Sequence, residues 1–267
     1  MLKPNKVKQT LKSGGICFGT MLRILHSPHA VPLCASAGWD FIILDMEHAD
    51  FNSETLAGMC VTAKYEPLVL LARVPDKLYH QLAKPLDLGV EGLVIPRVES
   101  REEVRHIIDS TKYSPMGQRG ASISAPVTQF RQHDAVEYLQ GANRETLIVI
   151  QIESENAVEK VEELVSVEGI DAVLMGPFDL SQSMGIPGQT SHPRMIEAIK
   201  RVIEGCNRHN VAPGIHLSAV DAAAEWVKAG IRFLTYSYDI KFLMDASRDV
   251  LRQLRAIQGI EQRGTRG

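Results

Sequence analysis

Apolar runs rich in β-branched residues alternate with segments of helical periodicity along most of the chain. Strands that alternate with helices in this way predict parallel β-α units rather than an antiparallel sheet. Eight repeats within 267 residues are typical of one α/β domain, a (β/α)8 TIM barrel. We expect its strands at 15–22, 41–47, 68–74, 92–98, 146–153, 170–176, 212–218 and 231–238.

The segments between the apolar runs carry the helices of the predicted barrel. A short leading helix over 5–13 is expected to plug the bottom of the barrel, and 112–145 is expected to be one irregular insertion. We predict a single barrel domain over 1–257 and a flexible tail over 258–267. The main helices are expected at 28–37, 53–65, 77–88, 100–111, 155–166, 193–209, 219–229 and 240–257.

Composition narrows the functional class. Hydrophobic residues make up 45% and charged residues 23% of the chain, values typical of a soluble globular protein. A net charge of -3 favours neither a nucleic-acid partner nor an anionic membrane surface. The four cysteines are widely spaced and match no metal-ligand pattern, so we expect them to be buried thiols. With no signal-like or membrane-spanning run, the expected location is the cytoplasm.

Acidic residues follow three of the predicted strands. Asp45, Glu47 and His48 end the second, Glu153 ends the fifth, and Asp179 follows the sixth. Carboxylates are poor strand formers and costly to bury, so their repetition at strand ends needs a reason. The carboxyl ends of barrel strands form the catalytic face, so the sequence predicts a shared polar site there.

Two of these carboxylates lie on neighbouring strands. Glu153 and Asp179 offer oxygen ligands that suit a hard divalent cation, Mg²⁺ or Mn²⁺. In the alternative interpretation, both carboxylates only cap loops or pair with arginines. Gln151 shares a strand face with Glu153 and is expected to point inward with it.

A histidine and an arginine supply candidate chemistry beside the carboxylates. His48 can act as a general base because imidazole titrates near neutral pH, although a structural role is also open. Arg73, which ends the third strand, can clamp a carboxylate or stabilise an oxyanion, or it can simply close the strand with a salt bridge. Backbone N–H groups after Gly176 and Pro177, including that of Phe178, can hold a small carboxylate.

These motifs resemble the HpcH/HpaI aldolase family, the metal-dependent (class II) pyruvate aldolases, over nearly the whole chain. The motifs that carry the resemblance are Asp45-x-Glu47-His48, Arg73-Val74-Pro75, Pro115-x-Gly117-x-Arg119-Gly120, Gln151-Ile152-Glu153-Ser154 and Gly176-Pro177-x-Asp179-Leu180-Ser181.

The resemblance implies a (β/α)8 barrel of the phosphoenolpyruvate/pyruvate-binding type and a role for each matching residue. Glu153 and Asp179 would bind Mg²⁺ or Mn²⁺, with Co²⁺ or Zn²⁺ as further candidates. His48 would be the base, with an acidic partner such as Asp45, and Arg73 would stabilise an enolate. The keto acid would contact Gln151, Gly176, Pro177, Phe178 and Asp179.

The family also uses an acid on the helix after the third strand, often across a subunit interface, to raise the basicity of the histidine. Asp87 matches that position, so the resemblance implies a homo-oligomer, commonly a hexamer built as a trimer of dimers. This chain departs from the common family pattern at four positions: Pro32, Met46, Phe178 and His216. These departures affect the identity of the substrate more than the class of reaction.

We therefore predict a carbon–carbon lyase that reversibly cleaves a 4-hydroxy-2-oxo acid to pyruvate and an aldehyde through a metal-bound pyruvate enolate. Three alternatives remain: an acyl-CoA lyase, a decarboxylase or carbon–carbon synthase using the same enolate, and a non-catalytic keto-acid-binding barrel. No lysine stands at a predicted strand end to form a Schiff base, which favours the metal route. The acyl-CoA lyases of this type carry a basic residue early in the first strand, and residues 15–20 contain none.

Overall fold

A computed structural model describes residues 3–123 and 126–257 of the chain. Eight parallel strands close into a barrel in chain order, which confirms the predicted (β/α)8 class. The predicted tail over 258–267 lies outside the described residues. The strands are β1 (Cys17–Leu22), β2 (Phe41–Asp45), β3 (Val69–Arg73), β4 (Gly92–Ile95), β5 (Leu147–Ile152), β6 (Ala172–Met175), β7 (Ala212–Leu217) and β8 (Phe233–Tyr238).

Helices connect successive strands around the outside of the barrel, with one more helix before β1 and one after β8. In the described residues they are α1 (Lys6–Lys12), α2 (Ala30–Ser36), α3 (Ser53–Ala63), α4 (Tyr79–Leu88), α5 (Arg101–Thr111), α6 (Ala135–Glu145), α7 (Glu155–Glu159), α8 (Val161–Val165), α9 (Pro177–Ser183), α10 (Pro193–Arg208), α11 (Val220–Lys228) and α12 (Asp239–Ile257).

Three features of the connections differ from the sequence prediction. The segment 112–145 is not wholly irregular, because Asp134 caps α6 by accepting a hydrogen bond from the N–H of Glu137. The helix expected over 155–166 divides at Lys160 into α7 and α8. The helix α9 follows β6 directly, with Pro177 at its first position, where the missing N–H has no helical partner to lose.

The second strand ends two residues earlier than predicted. The Asp45 carboxylate accepts hydrogen bonds from the backbone N–H groups of Glu47 and His48, each at 3.3 Å. These bonds turn the chain out of the sheet, since a side chain now satisfies donors that a strand would direct to its neighbour. Glu47 and His48 therefore lie in the turn after β2 rather than on the strand.

The lower half of the barrel interior is apolar and filled. The rings of Phe41 and Phe233 stack at 4.3 Å between centroids, with an angle of 9° between their planes. Val7 and Leu11 of α1 pack into the same buried cluster, so the leading helix plugs the bottom as predicted. In the described residues this apolar cluster fills the lower half of the barrel interior. The polar groups lie at the opposite end.

The last helix leaves much of its apolar surface uncovered. It contacts β1 and β8, and its Phe242 ring lies 6.2 Å from Trp39 and 6.0 Å from Tyr236. Among the described residues of α12, only Asp239 is buried. Its exposed large apolar residues are Phe242, Leu243, Met244, Val250, Leu251, Leu254 and Ile257.

All four cysteines are buried free thiols, as the sequence indicated. No helix in the described part of the chain has the length and apolar character needed to cross a bilayer.

Candidate active site

A buried ion pair joins the ends of β2 and β3, whose terminal residues Asp45 and Arg73 are register partners. Arg73 donates from Nε to one oxygen of the Asp45 carboxylate at 2.9 Å and from a terminal nitrogen to the other at 2.7 Å. Burial raises the pKa of Asp45, but the Arg73 hydrogen bonds and the positive charges of Arg73 and Arg23 outweigh it. The net pKa of Asp45 therefore lies below its usual value, and the guanidinium is fixed in one orientation.

Arg23, which follows β1, is a site residue that the sequence analysis missed. Its Nε donates to the Asp45 carboxylate at 2.8 Å, and its guanidinium lies 4.7 Å from the centre of the Tyr238 ring. The Asp239 carboxylate holds this turn by accepting the backbone N–H groups of Arg23, Ile24 and Leu25 at 2.9–3.0 Å. The signal was present in the sequence, because Arg23 directly follows a predicted strand, as Arg73 ends one.

The turn after β2 places Glu47 and His48 at the rim of the barrel. The Glu47 side chain is 10% exposed and lies 3.4 Å from a terminal nitrogen of Arg73. His48 is 52% exposed, and its Nε2 lies 3.7 Å from the Glu47 carboxylate. The imidazole therefore lies near Glu47, whereas Asp45 contacts only the backbone N–H of His48.

The carboxylate of Glu153, which directly follows β5, faces two other acidic side chains. Burial raises the pKa of Glu153 to about 7, and the negative charges of Glu47 and Asp179 add to this rise. The backbone N–H of Arg97 donates to the carboxylate at 2.8 Å. Arg97 reaches this position with a φ of 53°, in the left-handed region. The structure thus brings together the two carboxylates that the sequence proposed as cation ligands.

This donor set fits a divalent cation. Repulsion between Glu153, Asp179 and Glu47 falls when a positive ion lies between them, and carboxylate oxygens are the ligands that hard cations prefer. One Glu47 oxygen and the Gln151 amide oxygen are buried and have no hydrogen-bond partner in the described part of the chain. No cluster of three or more His, Cys, Asp or Glu side chains within residues 3–123 and 126–257 is arranged to hold an ion alone. The remaining ligands would therefore come from water or substrate.

Gly176 lies directly beside this acidic cluster. A Cβ atom at this position would lie 3.0 Å from Gln151 Nε2 and 3.1 Å from the Glu153 carboxylate. Gln151 in turn donates to that carboxylate at 2.5 Å, so both side chains point inward as predicted. Because Gly176 has no side chain, the space next to both carboxylate and amide stays open.

The first turn of α9 offers backbone donors over the same space. The N–H of Gly176 already donates to Ile152 at 3.2 Å, and Pro177 has none. The free N–H groups of this turn are therefore those of Phe178 and Asp179, since the first helical residues have no partner within the helix. The Phe178 side chain is 64% exposed and lies outside the buried part of the site.

A comparison with protein families gives the same assignment as the motifs. The family model described as HpcH/HpaI aldolase/citrate lyase matches residues 21–246. The chain belongs to this family. Two relatives in the comparisons are named aldolases, which confirms the prediction of an enzyme that acts as a carbon–carbon lyase.

Relatives with these names align over most of the chain. The hydroxypyruvate/pyruvate aldolase of Delftia acidovorans is 34% identical over 240 residues, covering 88% of this chain and 87% of that protein. The 4-hydroxy-2-oxo-heptane-1,7-dioate aldolase of Escherichia coli is 32% identical over 243 residues, covering 91% and 92%. An HpcH/HpaI aldolase structure from Desulfitobacterium hafniense superposes with a TM-score of 0.91 at 34% identity, covering 96% and 98%.

One predicted site residue of the family lies away from the others within this chain. Asp87 sits at the far end of α4, about 12 Å along the helix from the rim, given a rise of about 1.5 Å per residue. It pairs with Arg119 at 2.5 Å. Arg119 is itself buried and lies over the Tyr113 ring at 4.7 Å. A role of Asp87 toward His48 therefore requires a second subunit and stays a prediction.

Proposed function

We propose that this enzyme is a divalent-metal-dependent aldolase that reversibly cleaves a 4-hydroxy-2-oxo acid to pyruvate and an aldehyde. The observation that carries the proposal is the position of the Asp45–Arg73 ion pair beside the carboxylates of Glu153 and Asp179. A guanidinium group held in one position next to a cluster of carboxylate oxygens suits a reaction in which negative charge develops on a keto oxygen.

Arg73 stabilises the enolate that aldol cleavage leaves behind. Asp45 holds its guanidinium at two points, so little reorganisation is needed when charge develops on the substrate oxygen. Glu153 and Asp179 would hold Mg²⁺ or Mn²⁺, with Co²⁺ or Zn²⁺ as further candidates, and the bound ion would polarise the keto group as a Lewis acid.

The substrate carboxylate is bound at the start of α9. The N–H groups of Phe178 and Asp179 point from the first turn of this helix, and Gly176 leaves room for the carboxylate beside Gln151. Pro177 fixes the beginning of the helix. Binding here orients the keto group toward Arg73.

His48 moves the proton between the C4 hydroxyl and solvent. Its imidazole is half exposed at the rim, which gives it access to both. The neighbouring Glu47 carboxylate stabilises the protonated ring after the proton has been accepted. Asp87 of a second subunit would complete this relay.

We also propose that the enzyme is a homo-oligomer, with a hexamer as the expected assembly. The exposed large apolar side chains of α12 support association with a second copy of the chain, because exposed apolar patches commonly mark interaction surfaces. The other partners are small molecules, a keto acid and an aldehyde. Neither a nucleic acid nor a membrane is required for this reaction.

Proton NMR of pyruvate in D2O tests the proposal. We expect the methyl signal to disappear with enzyme and Mg²⁺ or Mn²⁺, and to persist when EDTA replaces the metal. Glu153→Gln should remove the exchange, whereas Glu155→Gln should retain it. Glu155 is a matched control because it pairs with Arg194 on the outside of the barrel.

Each outcome separates one function from another. Metal-dependent exchange followed by aldehyde release from 4-hydroxy-2-oxo acids supports the aldolase. Exchange without aldehyde turnover, together with CO2 release from oxaloacetate, would assign a decarboxylase in its place. Equal exchange with metal and with EDTA would contradict metal dependence. No exchange under either condition would contradict the aldolase and favour an acyl-CoA lyase or a non-catalytic keto-acid-binding barrel.

A further inference from the structure

The β7–β8 side of the barrel mouth carries buried polar groups, among them those of His216 and Thr235, that have no hydrogen-bond partner within residues 3–123 and 126–257. The Thr235 side chain is fully buried, and its hydroxyl makes no hydrogen bond. The buried Nδ1 of His216 is also unpaired, and neither ring nitrogen of His216 bonds to any described residue. A buried polar group without a partner is costly, so two of them at one place call for a ligand or water.

The strand register places these side chains next to each other and next to the proposed keto-acid site. His216 and Thr235 are direct partners across β7 and β8. Two residues earlier, Gly214 pairs with Phe233, which belongs to the buried apolar cluster of the barrel interior. Residues two apart on a strand point to the same face of the sheet. Thr235 and His216 therefore also point into the barrel interior, one layer of side chains nearer the carboxyl end than Phe233. On its other side β7 pairs with β6, where Met175 is the register partner of Ile215. The next residues along these strands, Gly176 and His216, therefore lie beside each other.

The His216 ring is held neutral in this position. Burial, followed by the positive charges of Arg73 and Arg23, lowers the pKa of His216 to about 4. A neutral imidazole has one nitrogen that donates and one that accepts. Together with the Thr235 hydroxyl, it can therefore bind a group that both donates and accepts.

We propose that His216 and Thr235 form a hydroxyl-binding subsite that selects substrates carrying a hydroxyl group beside the reacting carbonyl. This inference rests on the proposed function, because it concerns the substrate of the same site. A substrate hydroxyl can donate to His216 while it accepts from Thr235. If an apolar group of the substrate occupied this position, both protein groups would stay unpaired. A site of this kind therefore discriminates against the analogue that lacks the hydroxyl.

Paired substrates and paired variants test the subsite. The hydroxyl could belong to the keto acid, tested with hydroxypyruvate against pyruvate, or to the aldehyde, tested with glycolaldehyde against acetaldehyde. Thr235→Val and His216→Leu remove the hydrogen-bonding groups with little change of volume. Thr235→Ser and His216→Gln retain such groups and serve as matched controls.

The readout is the ratio of kcat/KM for the hydroxylated compound to that for its unsubstituted analogue. We expect this ratio to fall about 10-fold in Thr235→Val and His216→Leu, since one neutral hydrogen bond accounts for about that factor. It should stay within about 2-fold of wild type in Thr235→Ser and His216→Gln. An unchanged ratio in Thr235→Val and His216→Leu, for both the keto-acid and the aldehyde arm, overturns the subsite.

Calorimetric binding of hydroxypyruvate and pyruvate, with Mg²⁺ present, separates failure of the subsite from failure of the proposed function. If the wild-type enzyme catalyses no aldol reaction, the proposed function fails. The subsite still holds if the wild-type protein binds hydroxypyruvate more tightly and Thr235→Val abolishes that preference. It fails if the wild-type protein prefers neither hydroxypyruvate over pyruvate nor, in the same calorimetric assay, glycolaldehyde over acetaldehyde, or if Thr235→Val retains the preference that the wild type shows.

Discussion

The carboxylate of Asp45 and the guanidinium of Arg73 form a two-point ion pair in which both side chains are almost completely buried. The two bonds are 2.9 and 2.7 Å long, and the side chains are 0% and 5% exposed. Breaking such a pair by removing one partner costs about 3–5 kcal/mol, because the remaining charge is left buried. The ion pair therefore stabilises the carboxyl end of the barrel, and it also directs the Arg73 guanidinium into the site.

Replacement of Arg73 by lysine should reduce pyruvate C–H exchange by about 100-fold, as expected when a positioned donor to an oxyanion is lost. Lysine keeps the positive charge but cannot make the planar two-point contact with Asp45. Deuterium exchange by NMR measures the effect. Arg194→Lys, on α10 at the barrel exterior, is the matched control. Exchange within about threefold of wild type in R73K would show that charge alone suffices.

Introduction of a side chain at Gly176 should close the space beside the carboxylates. The Cβ of Gly176→Ala would lie 3.0 Å from Gln151 Nε2 and 3.1 Å from the Glu153 carboxylate. We expect the rate of pyruvate C–H exchange to fall about 10-fold or more. The new methyl group would displace the Gln151 amide and the Glu153 carboxylate by a fraction of an ångström and so misplace the reacting atoms. Gly58→Ala in α3 is the control, since its Cβ meets only Pro28 at 3.3 Å. Full activity in Gly176→Ala would place the substrate elsewhere.

The buried amine of Lys112 should make stability rise with pH. Burial, followed by the charge of Lys8, lowers the pKa of Lys112 from 10.5 to about 7. Between these two values the unfolded chain carries a proton that the folded protein lacks. The free energy of unfolding therefore gains up to about 1.4 kcal/mol per pH unit from this group.

Urea titrations at pH 7 and pH 9 measure this dependence on Lys112. The increase in stability between the two values should be smaller in Lys112→Met than in wild type. Lys200→Met, at an exposed position of α10, should retain the wild-type increase. An equal increase in wild type and Lys112→Met would show that the buried amine does not titrate in this range.

A charge in the apolar face of α12 should dissociate the proposed oligomer. Leu254 is 54% exposed within this face, and burying a glutamate there against a second copy would be costly. Light scattering coupled to size-exclusion chromatography should show a smaller assembly for Leu254→Glu. Ala256→Glu lies about 160° away around the helix, at 100° per residue, and should leave the assembly intact. An unchanged mass for Leu254→Glu would exclude this face from the interface.

Much of the site could be inferred from sequence because it follows the ends of strands. The inward side chains of Gln151 and Glu153 follow from the two-residue repeat of a strand, and the structure shows both pointing into the barrel. Short loops join most strands to the next helix, so residues after a strand lie at the rim by necessity. The boundary of β2 could not be inferred, because Asp45 ends it with side-chain bonds to the following turn.

Other parts of the site depend on contacts between distant segments. Arg23 joins Asp45 only because β1 and β2 pair in one register. The N–H of Gly176 is unavailable to a ligand because it donates to Ile152 on the neighbouring strand. The position of Arg23 after a strand marks it as a residue of the rim, but the partner in each of these two contacts could not be inferred from the local sequence.

The sequence by itself determined the fold and the set of chemically active residue types. Hydrophobic periodicity is local, and eight β-α repeats have one common way to bury their apolar faces. Only the tertiary structure decided which of these residues face one another. Closure of the barrel sets the strand register. The register pairs Arg73 with Asp45, and it leaves His216 and Thr235 adjacent to each other without hydrogen-bond partners among the described residues.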